Sequence, residues 1–210
     1  GLLELDLGRP AAACPYFERA MGMARSLGAR RLEVLLGGNL AGAHYQLGDL
    51  DRAEALTLEA LDVARANQDR GGEGRILHGL GVILLDRRRL DEAERTLLQA
   101  LTIARDFADR PEQATALRNL GSIARERGDN PVAIGLLESA EALNGSAGNR
   151  RLAIDIAVGL GDSWCEAGRM DHGLRTLEGA LEAASSDEYR LEEGRILGLL
   201  AKWEARDGRD

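Results

Sequence analysis

Aromatic residues make up only 3% of this 210-residue sequence, and lysine occurs once, at Lys202. The two cysteines, Cys14 and Cys165, lie far apart with no Cys-x-x-Cys. No apolar run approaches the roughly 20 residues that span a bilayer, and runs of β-branched residues are missing. Each absence excludes something. Two distant cysteines build neither a disulfide framework nor a zinc site, and they fit a reducing, cytoplasmic compartment. A lone lysine near the C-terminus removes the Gly-x4-Gly-Lys phosphate loop. A net charge of −8 argues against a nucleic-acid surface, which needs clustered Lys and Arg. There is no signal peptide and no initiator Met, and GLLELDLGRP opens inside a helical pattern. The sequence therefore reads as a segment of a longer protein. What remains is 44% hydrophobic and 30% charged, rich in Ala, Leu and Arg, a mixture that buries a core and favours helix.

The text repeats. Gly8, Gly48, Gly128, Gly168 and Gly208 share one register of 40, Ala20, Ala60, Ala100, Ala140 and Ala180 a second, and Leu40, Leu80, Leu120, Leu160 and Leu200 a third. The pentapeptide EGRIL occurs at Glu73–Leu77 and three periods later at Glu193–Leu197. Each unit reads as two helices. Helix A carries apolar residues at helical spacing (Leu36, Leu40, His44, Leu47) and stops at a glycine such as Gly48. Asp49 or Asp129 then caps helix B, and Pro131 stands where a missing N–H costs nothing. Small residues Ala53, Ala60 and Ala64 let the two helices approach. Arg88 replaces the turn glycine in one unit, and because the register resumes at Leu90, Asp91 and Ala93 the turn is expected to survive there. Short polar linkers (ANQDRGG, DFADRPE, NGSAGNRR, SSDEYR) lead to the next helix A.

The order Leu-Gly/Ala at 40–41, 80–81, 120–121 and 160–161, then Gly-Asp at the turn, then Ala-x6-Ala in helix B, resembles the tetratricopeptide repeat; Asn119–Ala140 is the clearest copy. The 40-residue period is similar to the variant of kinesin light chains and to the sensor modules of large bacterial transcription regulators and signal-transduction ATPases. The resemblance implies an all-α, right-handed solenoid of antiparallel helix pairs, about 11 helices in all. The expected division is a partial repeat at 1–27, repeats at 31–67, 70–107, 110–147 and 150–186, and a final unpaired helix at 187–206. Leu199, Leu200 and Trp203 on that helix are expected to be partly bare, an opening for self-association through an end. The sequon Asn144-Gly145-Ser146 reads as a turn.

In such a solenoid helix A lines a concave groove. On a 100° wheel Leu40 and His44 face the core, while Leu35, Gly38, Asn39, Gly42, Tyr45 and Gln46 point the other way. Steps of 40 extend this wall to Arg75, His78, Gly79, Val82 and Leu85, then to Thr115, Arg118, Asn119, Ser122 and Arg125. The fourth helix adds Asp155, Val158, Gly159, Asp162 and Cys165. Arg75, Arg118 and Arg125 make the middle of the wall positive. They suit a protein or peptide partner with acidic or C-terminal carboxylate groups, or else they pair with Asp86, Glu126 and Asp155. The resemblance also implies a backbone-gripping role for Asn39 and Asn119, although Gly79 and Gly159 break that ladder. Gly79 leaves a gap in the wall, whereas Gly81 is the small residue that lets the neighbouring helix pack, equivalent to Ala41, Gly121 and Gly161.

Catalysis, cofactors and metals find no support. His44, His78 and His172 sit on three different units with no i,i+4 partner, and no His is expected beside Cys165. The resemblance implies instead a scaffold that binds protein or peptide, as a sensor or regulatory module of a larger bacterial protein. The alternative is a structural array that only self-associates.

Overall fold

Helices in this chain follow one another at intervals of about 20 residues, five of them starting at a capping side chain and most ending at a left-handed residue. The computed structural model describes residues 1–145, 148–185 and 189–208, the side chain of Asp6 excepted. The described residues are helical with no strand, and they form two compact units. The first, residues 1–108, holds α1 (Leu2–Asp6), α2 (Pro10–Ser26), α3 (Arg30–Gln46), α4 (Leu50–Ala66), α5 (Arg70–Asp86) and α6 (Leu90–Asp106). The second, residues 109–210, holds α7 (Arg110–Glu126), α8 (Asn130–Asn144), α9 (Arg150–Glu166), α10 (Met170–Ala184) and α11 (Arg190–Asp207). The ends expected for the third and fourth repeats, at 147 and 186, and the start of the last helix at 187 lie outside the described residues, as does Ser146 of the sequon.

Asp49 and Asp69 in the first unit, and Asp109, Asp129 and Asn149 in the second, each accept a hydrogen bond from a backbone N–H three residues on. That satisfies one of the donors every helix start leaves open. At the other end of α3, Gly48 takes φ +78, and the Asp49 N–H reaches back to the His44 carbonyl at 3.0 Å. Arg88 repeats this geometry without glycine: its φ is 60, and the Arg89 N–H meets the Leu84 carbonyl at 3.0 Å. Gln68 and Ala108 are also left-handed, at φ 54 and 53. Gly28, at φ 66, stands forty residues before Gln68, so the signal for those two turns was a glycine in their own register.

Within a pair, helices are matched in size at two positions sixteen residues apart. A Cβ on Gly81 of α5 would stand 2.5 Å from Leu97 Cγ of α6. One on Gly121 of α7 would meet Leu137 of α8 at 2.8 Å, and one on Gly161 of α9 would meet Leu177 of α10 at 2.6 Å. Gly1 likewise lies against the Phe17 ring. A large side chain on helix B thus fills the notch a glycine leaves on helix A, the role expected of Gly81. The α3–α4 pair answers differently, with Ala41 and Thr57 in this register, both buried. The Leu40, Leu80, Leu120, Leu160 and Leu200 column is buried throughout, as the core stripe requires.

Between pairs, the first unit uses one ionic clasp twice. Arg25 Nε and an Arg30 N–H both donate to Glu33 at 2.9 Å, and forty residues on Arg65 and Arg70 hold Glu73 at 3.0 and 2.9 Å. Burial by itself would raise both carboxyls, but the two arginine hydrogen bonds outweigh it and hold them below the usual carboxylate range.

The expectation for the last helix needs correction at Leu200 and Trp203, while Leu199 is partly bare as expected. Trp203 is fully buried and Leu200 nearly so, because α11 packs on α10 and α9 and directs Trp203 into their core. The Trp203 indole N–H donates to Asp162 at 2.8 Å, and Lys202 and Arg206 stand over its ring. The most exposed apolar side chains on α11 are Leu191, 85% exposed, and Leu197, 49% exposed.

Candidate functional site

The inward faces of α3 and α5 enclose a pocket of about 310 Å³ in the first unit. Its walls are aliphatic: Val34, Leu35, Ile76, Val82 and Ile83. Three glycines, Gly38, Gly42 and Gly79, keep it open. A Cβ on Gly42 or Gly79 would meet nothing within 4 Å, so neither glycine is there to admit a neighbouring helix. Gly38 is different, since its Cβ would come 2.9 Å from Ile76 Cδ1. A mid-helix glycine costs about 1 kcal/mol against alanine, and no packing need explains that cost at 42 and 79.

Thr57 deepens the pocket from the α4 side. Its register partners are Leu97, Leu137 and Leu177, and a leucine there would project where the opening now lies. Thr57 can be small because its hydroxyl donates to the Ala53 carbonyl at 2.7 Å, which leaves no polar group orphaned. Sequence reasoning missed this residue because it sits on helix B. The signal was a Thr in a column of Leu.

Polar groups ring the mouth. Tyr45 donates to the Asp86 carboxylate at 2.6 Å, bridging α3 to the end of α5. Asn39 and His78 line the opening part-buried, and Arg75 is exposed beside it. Among the described residues Arg75 has no hydrogen-bond or ion-pair partner. Nine of the wall residues expected from the wheel therefore meet in one cavity: Leu35, Gly38, Asn39, Gly42, Tyr45, Arg75, His78, Val82 and the gap residue Gly79.

The second unit arranges its share differently. Thr115, Arg118 and Asp155 line an open, polar hollow of about 630 Å³. There Asp155 is shared by Arg118 at 3.8 Å and Arg195 at 2.6 Å. Ser122 donates to the Arg118 carbonyl at 3.3 Å, and Arg125 pairs with Asp162. Five residues of the expected wall are not open to solvent. Asn119 is 1% exposed and Asp162 is 6% exposed. Val158, Gly159 and Cys165 are buried as well, and Gly159 lies against Leu137 at 3.1 Å from where its Cβ would be. The wheel treats helix A as having one packed side, whereas α9 packs against α7, α8, α10 and α11. Its far side is therefore core.

No group of His, Cys, Asp and Glu among the described residues is arranged to hold a metal ion. Cys165 is 3% exposed beside Gly173, and burial, with Asp162 nearby, pushes its thiol up to about 11. A thiol so held is a poor nucleophile at neutral pH. No helix among the described residues is long and apolar enough to cross a membrane.

A family profile described as the tetratricopeptide repeat matches residues 31–106 and 72–144, more than half of the sequence. The chain belongs to the tetratricopeptide repeat family. Solved structures agree on the fold. A Rap protein complexed with Competence and Sporulation Factor superposes with a TM-score of 0.81 at 16% identity, over 99% of this chain and 62% of that one. NprR in complex with its cognate peptide NprX gives 0.78 at 20% identity, over 96% of this chain and 58% of that one. A kinesin light chain from Podospora anserina, with nearly identical TPR-like repeats, gives 0.67 at 15% identity, over 87% and 90%. At these identities the likeness is one of fold, and this tetratricopeptide chain spans about three-fifths of Rap and of NprR. A search of curated proteins gives no significant match.

Proposed function

We propose that this tetratricopeptide array is a peptide- or protein-binding module, the sensor or regulatory part of a larger bacterial signalling protein working in the cytoplasm. The observation that carries the reading is the α3–α5 pocket, open in the middle of a repeat whose other notches are filled. Two of the fold neighbours were solved with a peptide or signalling factor bound, which supports a peptide ligand for this chain. The chain acts by binding rather than by catalysis. Capture on the inner helix faces would then bias the conformation of whatever domain the array is joined to.

The test is a pull-down from native lysate with the wild-type chain and with Arg75→Glu, read by mass spectrometry. Arg75 is the cleaner probe, since Arg118 and Arg125 already pair with Asp155 and Asp162. Loss of specific partners from the variant is expected; an identical partner set sinks the groove reading. The exposed Leu191 and Leu197 of α11 favour a second reading, self-association through that face. Constant monomer mass across a light-scattering concentration series removes it.

A further inference from the structure

The α3–α5 pocket is made where the chain departs from its own repeat, and those departures indicate what fills it. Thr57 stands where the other pairs place Leu97, Leu137 or Leu177, while Gly42 and Gly79 send no side chain into the opening. The volume, about 310 Å³, lies at the lower end of the roughly 300–1,000 Å³ range of ligand pockets and would hold on the order of ten waters. Those waters face Val34, Ile76, Val82 and Ile83, which offer them no hydrogen bonds, so an aliphatic group displaces them favourably. Arg75 lies one helical turn before Gly79 on the same face of α5, exposed and without a described partner. A guanidinium beside an apolar cavity matches a carboxylate carried on an aliphatic residue or its neighbour.

We infer that this pocket is an anchor subsite for one aliphatic side chain of leucine, isoleucine or methionine size in an extended peptide, with an adjacent carboxylate held by Arg75. The inference rests on the peptide-binding reading above and adds which peptide. An acidic side chain or a free C-terminus supplies the same carboxylate chemistry, and the experiment separates them.

The whole chain is applied to an array of random octapeptides with free C-termini. Preferred sequences are then resynthesised with the C-terminus amidated, with each acid changed to its amide, or with the aliphatic residue changed to alanine. Affinities are titrated by fluorescence anisotropy. Bound sequences are expected to place an aliphatic residue within one position of an acid or of the C-terminus. Truncating the aliphatic residue should weaken binding by about 10- to 100-fold. Whichever neutralisation removes the true carboxylate should weaken binding to wild type and leave binding to Arg75→Ala unchanged. Gly42→Leu, whose side chain grows into the pocket, should bind at least about tenfold more weakly while melting at a higher temperature than wild type. Gly22→Ala, on the exposed face of α2 with nothing within 4 Å of its Cβ, should keep full affinity. Enriched sequences with no aliphatic–acid pairing, or affinities indifferent to Gly42→Leu, overturn the anchor and leave peptide binding standing. An array with no peptide above background overturns the peptide reading itself.

Discussion

Two alanines placed two residues apart in α5 should move stability in opposite directions. Gly79→Ala and Gly81→Ala both remove a mid-helix glycine, so each gains about 0.8–1.0 kcal/mol of helix propensity. Nothing lies within 4 Å of a Cβ at 79, and that gain should appear whole, as a rise of about 2–4 °C in melting temperature for a chain of this size. At 81 the new methyl would sit 2.5 Å from Leu97 Cγ and 2.6 Å from Cδ2, and Leu97 is fully buried. Overpacking of this kind costs about 1–3 kcal/mol, leaving a net loss of about 1 kcal/mol. The chain holds its own control in the α3–α4 pair, where Ala41 on helix A faces the Thr57 register. In the Leu97→Thr background, Gly81→Ala should therefore become stabilising, giving a coupling of about 2 kcal/mol between the two sites. The assay is thermal and urea unfolding followed by helical circular dichroism on the four proteins of the cycle plus Gly79→Ala. Equal stabilisation by both alanines in the wild-type background, or a coupling below about 0.5 kcal/mol, would refute the size-matching account.

Acid should weaken the first unit through its clasps. Glu33 and Glu73 titrate lower in the folded chain than in the unfolded one, so their contribution is fully present above the unfolded carboxyl value, about 4.3, and is lost as pH falls through the folded one. Because Arg25 and Arg30 are half-exposed, solvent screening limits the effect to about 1 kcal/mol per clasp; Glu33→Gln with Glu73→Gln should flatten the stability slope below that pH, and an unchanged slope counts against the clasps. Cys165, buried and pushed up to about 11, should resist iodoacetamide at pH 8 in the folded protein and alkylate only on unfolding; peptide mapping that finds it modified under native conditions contradicts the burial of α9.

Periodic features were the legible ones. The 40-residue register announced the helix pairs, the Leu40 column announced the core, and the glycine at 81 announced a close approach. Single exceptions inside that register were harder to read. Arg88 stood out as a break in a glycine column, yet Gln68 and Ala108 adopt the same left-handed turn in the column of Gly28, where glycine was too sparse a signal to read as a turn. Asn119 and Asp162 were misplaced for a different reason. A helical wheel knows the helix axis but not how many neighbours surround it, and both side chains are buried where the wheel leaves an open face. Thr57 escaped notice because pocket-lining residues were sought on helix A alone.

Where one backbone is copied every forty residues, the columns that stay constant cannot distinguish one part of the array from another. The leucines at 40, 80, 120, 160 and 200 are all buried and do the same work. Specific behaviour must come from columns that change, such as the one running Gly42, Val82, Ser122, Asp162, Lys202. At its first member the position is empty and opens a pocket. At its fourth the same helical position carries a carboxylate, buried and bonded to Trp203 and Arg125, that ties α11 and α7 to α9. An empty site lined with aliphatic groups gains free energy only when something enters it, whereas a satisfied carboxylate gains nothing from a ligand and loses its partners if one intrudes. By that criterion the gap beside Gly42 is where the proposed ligand would gain free energy, and the Asp162 position is one where it would not.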